Sequence, residues 1–476
     1  MSLARVETKA SPAAAAAGPA VHVVTFGCQM NKYDSLLVEG RFVGDGYRLV
    51  ASMEEADVVL FNTCAVREHA EERVYSWLGE LKRRKREHPD LVVGVLGCMA
   101  QRAEEEIFER AGHVDLVVGT RRFHQLPELV DELRARRAAG GARPGRPERL
   151  LATEMDGVVA VDRAREVYTG GLHGYLAVMR GCDLNCTYCI VPRTRGRVAS
   201  RPIAELVAEA RWMVEQGVRV ITLLGQTLNS YGEDFDPPMS GAARGAGRDG
   251  RPALADLLRA LEPLAGLERI RMITLHPSYV TRELARAIAD CAKVERFLPL
   301  PLQSGSDHVL RRMKRGYNLE LYRRRIAILR EEVPDIELSS DWIVGFPGET
   351  DADFEQSERA LAEFGFAQSF VFRYSPRPGT AAADLSDDVP EAIKAERNTR
   401  LLAAAEQAGR RRMERQIGST KDVLAEEPSE RRAGSLRGRT REGLAIGFPG
   451  PAEQVGSWFR VRVEHASPYA LSGTLV

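Results

Sequence analysis

Three short, valine-rich runs near the start of the chain constrain the fold most strongly. They are VHVVTFGC, ADVVLFNTC and DLVVGVLGC, which end at Cys28, Cys64 and Cys98. Each run is apolar without alternation, as in parallel strands that are buried on both faces. A longer stretch of mixed polar and apolar residues, typical of a helix, follows each run. This βαβ alternation predicts a doubly wound parallel sheet within residues 21–136.

The three cysteines of these runs occupy equivalent positions, although they are about 35 residues apart in the sequence. Because the carboxyl ends of parallel strands share one edge of a sheet, where ligands bind, we expect the three thiols to lie close together. A single buried cysteine at a strand end is most often a packing residue, and that interpretation stays open for each one alone. Three at the same place on three strands favour a metal site.

A second region again alternates strand-like and helix-like segments, now six times. Its candidate strands are GYLAVMRGC, VRVITLLGQ, RIRMITLHP, RFLPLPLQ, IELSSDWIVGF and FAQSFVFRYSP. Six such units predict a partial (β/α)6 barrel in residues 168–405, with function at the carboxyl ends of the strands. Residues 137–167, rich in Arg, Gly and Pro, are predicted to be a linker. Residues 237–252, PPMSGAARGAGRDGRP, are predicted to be a mobile loop.

The last region, residues 408–476, contains short strand-like runs separated by Gly and Pro. They are TKDVLAEE, SLRGRT, LAIGF, SWFRVRVEHAS and YALSGTLV, which predict a small antiparallel β-barrel. Residues 410–476 carry 12 Lys and Arg against 8 Asp and Glu, a net charge of 12 − 8 = +4. A small basic barrel is typical of an RNA-binding module. An ordinary solvated surface is the alternative.

Global composition excludes some classes of partner and leaves others open. The chain has 67 basic and 67 acidic residues, so any surface for nucleic acid must be local. We find no apolar run of membrane-spanning length, and the alanine-rich residues 1–20 lack a secretory core and are predicted to be a disordered tail. We therefore expect a cytoplasmic protein with reduced thiols. Seven cysteines, an odd number, favour metal binding or catalysis over disulfides. Cys291, on an amphipathic helical pattern, is predicted to be a packing residue.

The segment MRGCDLNCTYCIVPRTRGR holds a second set of three cysteines, Cys182, Cys186 and Cys189. Zinc sites usually need a second cysteine pair or two histidines at short spacing, and the nearest histidines are His173 and His276. An iron–sulfur cluster is the other thiolate site. Four irons held by three cysteines leave one iron open to a small molecule.

The pattern Cys-x-x-x-Cys-x-aromatic-Cys, with Tyr188 before the last cysteine, resembles the motif of radical S-adenosylmethionine enzymes. It lies at the end of the first of the six strands, where those enzymes place it. The resemblance implies that S-adenosylmethionine chelates the open iron of a [4Fe-4S] cluster on Cys182, Cys186 and Cys189. One electron from the cluster then cleaves S-adenosylmethionine and yields a 5′-deoxyadenosyl radical, while the protein orients the cofactor and excludes water.

The same resemblance implies further contacts to S-adenosylmethionine at the strand ends. LLGQT occupies the place of the contact to the methionine amino group, although the family usually ends this run in Glu. DWIVGFPGET resembles the adenine-contact segment, with a tight turn as the alternative. Gln303 and Asp341 are two more polar residues at the ends of predicted strands. The candidate cofactor-binding residues are Tyr188, Gly225, Gln226, Gln303, Asp341, Ile343, Gly345 and Gly348.

Over residues 21–476 the chain resembles the radical methylthiotransferases, which end in a small barrel called the TRAM domain. Matching segments include TFGCQMNKYDS, NTCAVREHAEERVYSWLGEL, LGCMAQR, LPLQSGSDHVLRRMKRGY and YSPRPGTAAA. The match is strongest to the tRNA-modifying MiaB type. A sister enzyme that modifies a ribosomal protein reads Gly-Cys-Pro-Lys-Asn at the position of Gly27 to Asn31. A third branch acts on threonylcarbamoyladenosine in tRNA. A non-catalytic iron–sulfur redox sensor that binds RNA is the remaining alternative.

The resemblance implies a second [4Fe-4S] cluster on Cys28, Cys64 and Cys98, whose open iron carries the sulfur to be donated. It implies insertion of a methylthio group at C2 of N6-isopentenyladenosine at position 37 of tRNA, next to the anticodon. One S-adenosylmethionine methylates the sulfur and a second yields the radical that takes the C2 hydrogen. A base in a single-stranded loop is readily splayed out for such chemistry. The expected partners are tRNA and a reductant protein of the flavodoxin or ferredoxin class, for a monomer without membrane attachment. Arg437, Arg439 and Arg462 are expected to contact RNA.

Overall fold

The computed structural model describes residues 18–65, 68–139, 148–156, 170–236 and 245–476. The predicted tail up to residue 17, most of the predicted linker and the first half of the predicted loop 237–252 lie outside the described residues. The chain divides into two compact units. The first comprises Met1–Thr169 with Ile190–Arg197, and the second comprises Gly170–Cys189 with Val198–Val476.

The described part of the first unit contains a six-stranded sheet in which every pairing is parallel. Its order is β2-β1-β3-β4-β5-β6. The strands are β1 (Ala20–Thr25), β2 (Arg48–Leu49), β3 (Val58–Thr63), β4 (Val92–Gly97), β5 (Leu116–Val118) and β6 (Leu150–Ala152). β6 lies in the stretch predicted to be a linker, so the structure differs from that prediction at residues 150–152.

Successive residues of a strand point to opposite faces of the sheet, so a strand that is apolar throughout needs packing partners on both faces. Val59 and Phe61 of β3 belong to one apolar cluster, whereas Val58 and Leu60 belong to another. Six helices lie in the described part of the first unit. They are α1 (Gln29–Gly44), α2 (Glu68–Glu87), α3 (Cys98–Ala103), α4 (Glu105–Arg110), α5 (Leu126–Ala138) and α6 (Val191–Arg195). Two packed faces confirm the predicted doubly wound sheet.

The second unit contains six parallel strands in two three-stranded sheets, with orders β11-β10-β7 and β12-β13-β14. A parallel bridge between Ile270 and Val294 links the neighbouring edges of the two sheets. The predicted partial barrel is confirmed. The strands are β7 (His173–Ala177), β10 (Val220–Leu224), β11 (Arg269–Met272), β12 (Phe297–Pro299), β13 (Glu337–Val344) and β14 (Gln368–Arg373), and the short antiparallel pair is β8 (Met179–Arg180) with β9 (Ala199–Ser200).

Helices of the second unit follow the strands in the order expected of βα repeats. They are α7 (Ile203–Glu215), α8 (Leu254–Leu261), α9 (Arg282–Asp290), α10 (Asp307–Arg312), α11 (Leu319–Glu332), α12 (Asp351–Phe364) and α13 (Glu391–Glu414). α12 shows how local sequence sets a boundary. Thr350 and Asp353 form a reciprocal capping box at its start, and Gly365 adopts a left-handed conformation at its end. Cys291 directly follows α9 and is buried, which agrees with a packing role.

The carboxy-terminal residues of the second unit close into a five-stranded barrel of order β15-β16-β17-β19-β18. Its strands are β15 (Thr420–Pro428), β16 (Ser435–Thr440), β17 (Ala445–Pro449), β18 (Trp458–Ala466) and β19 (Leu471–Leu475). All neighbours are antiparallel except β17 and β19, which pair in parallel, a detail that the antiparallel prediction misses.

Buried ion pairs attach this barrel to β11. Arg269 and Arg271 of β11 both contact Glu295 and Glu426, and Glu426 lies on β15. Trp458 of β18 donates its indole N–H to Glu268 at 2.9 Å. Within the described residues, no helix combines the length and apolar composition needed to cross a bilayer.

Candidate cofactor-binding sites

The amino-terminal thiol trio, Cys28, Cys64 and Cys98, lies at the carboxyl ends of three neighbouring strands. Cys28 precedes α1 shortly after β1, Cys64 directly follows β3, and Cys98 opens α3 directly after β4. β1, β3 and β4 are adjacent in the sheet. Cys28 is exposed, whereas the other two are buried. The topology therefore places one thiol after each of three consecutive strand ends.

Asn31 connects the turns that carry these thiols. Its amide nitrogen donates to the carbonyl oxygens of Phe26 and Thr63, both at 2.9 Å. Its side-chain oxygen lies 3.5 Å from the sulfur of Cys28. Gly27 has φ = +114°, and a side chain there would collide with Cys64. The β1 and β3 turns are consequently held tightly together.

A buried cation lies beside the third thiol. The Nε atom of Arg195 is 3.3 Å from the sulfur of Cys98, and its Nη1 atom is 2.7 Å from a carboxylate oxygen of Asp34. Burial alone would lower the pKa of Arg195, but the negative charge of Asp34 raises it above its ordinary value. Burial raises the pKa of Cys98, and the charge of Arg195 opposes that rise. The guanidinium therefore favours the thiolate form, which binds metals.

The second thiol trio, Cys182, Cys186 and Cys189, follows β8 in the second unit. The sulfur of Cys182 lies 3.1 Å from the hydroxyl of Thr227. The backbone N–H of Gly181 donates to the side-chain oxygen of Gln226 at 2.6 Å. Both contacts tie the beginning of the cysteine loop to the end of β10.

Arg315 provides the buried cation of this second site. Its Nη1 atom lies 3.2 Å from the sulfur of Cys186, and its Nε atom donates to the hydroxyl of Tyr317 at 3.0 Å. Burial raises the pKa of Cys182, with smaller contributions that include the negative charge of Cys186. As in the amino-terminal trio, a guanidinium next to one sulfur offsets the cost of a buried thiolate.

Several predicted S-adenosylmethionine contacts cluster around the end of β13. Gln303 has φ = +73° and pairs with the strand through its backbone: its N–H donates to Asp341, and its carbonyl accepts from Ile343. Ile343 and Tyr188 pack against the same apolar cluster. Gly345 has φ = +71°, and a side chain there would collide with Lys394. The structure thus brings Tyr188 and this strand end together.

Gly225, another predicted contact, directly follows β10 and lies close to Met179, whose side chain a Cβ atom would meet at 2.6 Å. Its carbonyl accepts a hydrogen bond from Thr274 at 2.5 Å. Gly348 has φ = +82° and donates its N–H to Asp388 at 2.7 Å. The positive φ of Gly348 favours glycine whether or not a ligand binds, whereas at Gly225 the constraint is contact with the Met179 side chain.

The arginines predicted to contact RNA differ in exposure. Arg437 and Arg462 are exposed on β16 and β18, and Arg437 pairs with Glu427 at 3.0 Å. Arg439 is half-buried and donates to the carbonyl of Gly443 at 2.8 Å. Two of the three guanidinium groups therefore face solvent.

Sequence comparison supplies the family. Residues 20–119 match the uncharacterized protein family UPF0004, residues 176–361 match the Radical SAM superfamily, and residues 414–476 match the TRAM domain. A tRNA-2-methylthio-N(6)-dimethylallyladenosine synthase of Ralstonia nicotianae is 41% identical over 96% of this chain and 97% of its own length. The synthase of that name in Pseudomonas aeruginosa is 40% identical over 95% of this chain and 98% of its own length.

The chain belongs to the tRNA-2-methylthio-N(6)-dimethylallyladenosine synthase family. Membership follows from this identity over almost the whole of both chains. It confirms the predicted radical S-adenosylmethionine enzyme of the methylthiotransferase group, with S-adenosylmethionine and [4Fe-4S] as cofactors.

Solved structures of lower identity agree with the synthase fold. The radical S-adenosylmethionine methyltransferase TsrM of Kitasatospora setae matches with a TM-score of 0.54 and 17% identity, over 77% of each chain. The cobalamin-dependent radical enzyme OxsB matches with a TM-score of 0.52 and 13% identity, over 82% of this chain and 56% of its own. At these identities the similarity concerns the fold alone.

The residues at both trios fit a [4Fe-4S] group of the synthase family by their chemistry. Each site offers three thiols, which suit iron–sulfur clusters better than hard cations, and a buried guanidinium that can compensate thiolate charge. In the described residues, however, no group of three or more His, Cys, Asp and Glu side chains is already arranged to hold a metal ion.

Sequence reasoning missed the groups that surround the sulfurs. These are Asn31, Asp34, Arg195, Thr227 and Arg315. Arg195 and Arg315 lie in segments that were recognised for other reasons, RTRGR and MKRGY, but charged residues in such loops are usually solvated. No local pattern marks them as buried.

Proposed function

We propose that this protein inserts a methylthio group at C2 of N6-isopentenyladenosine at position 37 of tRNA, with one [4Fe-4S] cluster on each thiol trio. The observation that supports this best is the presence of two sites of similar composition, each with three thiols and a guanidinium beside one sulfur. Three thiols leave one iron of a cluster open. One open position suits S-adenosylmethionine and the other suits the sulfur to be donated.

The second trio is the proposed site of S-adenosylmethionine cleavage. When bound there, a [4Fe-4S] cluster supplies the electron that breaks the sulfur–carbon bond. Thr227 and Arg315 orient the sulfurs of Cys182 and Cys186 by hydrogen bonds and lower the cost of their negative charge. Gln226 accepts a hydrogen bond from the Gly181 amide and so holds the start of the cysteine loop in place.

We assign the adenosyl group of S-adenosylmethionine to the end of β13. Tyr188 and Ile343 provide an apolar surface there, and Gly345 permits close approach of the backbone. Glu349 accepts the Gly345 N–H at 2.6 Å and an Arg397 N–H at 2.9 Å, so the turn is fixed before any ligand binds. A preformed turn reduces the entropy lost on binding. Gln303 and Asp341 are the polar candidates at this strand end.

The barrel β15–β19 is the proposed tRNA-binding domain. Arg437 and Arg462 are exposed on β16 and β18, the two strands that flank β15, and are suited to phosphate contacts. Arg439 makes a smaller contribution in this proposal because its guanidinium already donates to Gly443. Since tRNA and reduced thiols coexist in the cytoplasm, we infer that the protein acts there. The electron donor is proposed to be of the flavodoxin or ferredoxin class, and the active form a monomer.

Nucleoside analysis of tRNA from a strain that lacks the gene tests this proposal. We expect the 2-methylthio-isopentenyl nucleoside to disappear and the isopentenyl precursor to accumulate. Persistence of the methylthiolated nucleoside would contradict the proposed substrate. Loss of a methylthiolated threonylcarbamoyl nucleoside, or of a ribosomal protein modification, would indicate the sister substrates. A purified, reconstituted protein that forms no 5′-deoxyadenosine would indicate a redox sensor.

A further inference from the structure

Arg195 is a buried cation with three partners at the amino-terminal thiol trio. Its Nη1 atom lies 2.7 Å from Asp34, its Nη2 atom donates to Asn31 at 3.0 Å, and its Nε atom lies 3.3 Å from the sulfur of Cys98. The side chains of Arg195 and Asp34 expose only 3% and 0% of their surface. Burying two charged groups this completely is costly unless they are paired. The pairing with Asp34 offsets this cost and leaves a guanidinium beside the sulfur of Cys98.

The partners of Arg195 lead to all three cysteine turns. Asn31, which receives the Nη2 hydrogen bond, also lies 3.5 Å from the Cys28 sulfur. The same amide donates to the carbonyl of Thr63, the residue directly before Cys64. One guanidinium thus contacts one sulfur directly and is a single side chain away from the other two turns.

We propose that Arg195, with its charge balanced by Asp34, is a positioning residue for the cluster on the amino-terminal trio. It holds the sulfur of Cys98 in a fixed orientation and stabilises the more negative, reduced cluster through an N–H···S hydrogen bond. This inference rests on the proposed function, because it requires a cluster on Cys28, Cys64 and Cys98. Hydrogen bonds to ligand sulfurs and nearby charge are known determinants of cluster potential.

A purely structural role for this ion pair makes a different prediction. Arg195 ends the five-residue helix α6, six residues after Cys189 in the sequence. Its pair with Asp34 also holds α6 to α1 within the first unit. If that were its whole purpose, substitutions would change stability but leave the potential of a bound cluster unchanged. The two roles are separated by a redox measurement.

The test uses the full-length protein with Cys182→Ala, Cys186→Ala and Cys189→Ala, so that only the amino-terminal trio can bind a cluster. The protein is reconstituted anaerobically with iron and sulfide. Iron and sulfide contents are measured, and the midpoint potential is determined by a redox titration followed by electron paramagnetic resonance. Arg195→Gln, Arg195→Lys and Asp34→Asn are introduced into this background. Arg193→Gln, on the exposed side of α6, is the matched control.

We expect Arg195→Gln to disfavour the reduced cluster roughly tenfold, which for a one-electron couple is a shift of about 59 mV to lower potential. Asp34→Asn leaves the guanidinium charge unbalanced and should shift the potential in the opposite direction. Arg195→Lys keeps the charge but loses the planar fork, so it should lie between Arg195→Gln and the parent. The Arg193→Gln potential should equal that of the parent.

The outcomes separate this inference from the proposed function. A parent protein without iron on the amino-terminal trio would overturn the two-cluster assignment and this inference with it. A parent that carries a cluster whose potential is the same in all variants would overturn the inference and leave the two clusters in place. If Arg195→Gln fails to retain iron, the opposite shifts expected for Asp34→Asn and Arg195→Lys decide, and their absence would refute the positioning role.

Discussion

The Nη1 atom of Arg315 lies 3.2 Å from the sulfur of Cys186, although the two residues are 129 positions apart in the sequence. Both side chains are buried. Arg315 also donates to the hydroxyl of Tyr317, whose single O–H lies within hydrogen-bond distance of the carbonyl oxygens of Pro301 and Leu302. These hydrogen bonds therefore hold a permanent positive charge beside one sulfur of the second trio.

Replacing Arg315 tests the importance of this charge. We expect Arg315→Met to lower the rate of 5′-deoxyadenosine formation at least tenfold and to reduce iron retention, because a charge-assisted hydrogen bond is worth about 1.5–3 kcal/mol. Arg311→Gln, an exposed arginine of α10, is the control and should behave as the parent. Iron content and product are measured by colorimetry and chromatography. Equal iron contents and equal rates of 5′-deoxyadenosine formation in the two variants would contradict a role for Arg315 at this site.

His276 should make the protein sensitive to mild acid. The side chain is 3% exposed, and its Nε2 atom has no hydrogen-bond partner among the described residues. Burial, then the positive charge of Arg315, lowers the pKa of His276 to about 2, against 6.5 for the free group. Between these values the unfolded chain binds a proton that the folded chain does not. Stability from this group is therefore complete above pH 6.5 and declines as the pH falls.

The expected loss from pH 7 to pH 5 is about 2 kcal/mol in the free energy of unfolding. His276→Gln removes this group and should flatten the decline, even if the variant is less stable at pH 7. Urea unfolding of cluster-free protein at pH 7, 6 and 5 measures the effect. The exposed His465→Gln is the control and should keep the parental slope. Parallel pH profiles for all three proteins would contradict the assignment.

Glu426 should be essential for attaching the carboxy-terminal barrel to β11. It contacts Arg269 and Arg271, of which Arg269 is only 2% exposed. Glu426→Gln leaves Glu295 to balance two buried guanidinium groups, so we expect a loss of about 3 kcal/mol in the free energy of unfolding. Glu427→Gln affects the exposed pair with Arg437 and should cost less than about 1 kcal/mol. Similar losses from the two neighbours in urea unfolding would refute the distinction.

Salt dependence tests the RNA contacts of the barrel. If Arg437 and Arg462 each neutralise one phosphate, the double variant Arg437→Gln/Arg462→Gln should weaken tRNA binding and reduce the slope of log affinity against log salt by roughly 1.4–1.8. Fluorescence anisotropy with labelled tRNA at several salt concentrations measures both. Arg359→Gln, an exposed arginine of α12, should leave affinity and slope unchanged. An unchanged slope in the double variant would exclude these two contacts.

Local patterns predicted the architecture well. The Val-rich runs before Cys28, Cys64 and Cys98 became adjacent parallel strands, and five short runs after residue 418 became the closed barrel. Such elements are predictable because apolar periodicity and turn residues act over a few neighbouring positions. β6 was missed because three residues in an Arg-, Gly- and Pro-rich stretch give too short a signal, and its pairing with β5 is a long-range contact.

The sequence by itself determined which cysteines are candidate iron ligands and which strands they follow. Cysteine spacing and apolar runs are written in short stretches of chain, so the two trios could be recognised without coordinates. Only the tertiary structure decided which charged groups lie beside the sulfurs: Arg195 with Asp34 at the first trio and Arg315 at the second. The reason is physical: a guanidinium acquires its influence on a sulfur through burial and direct contact, and both depend on residues more than 90 positions away.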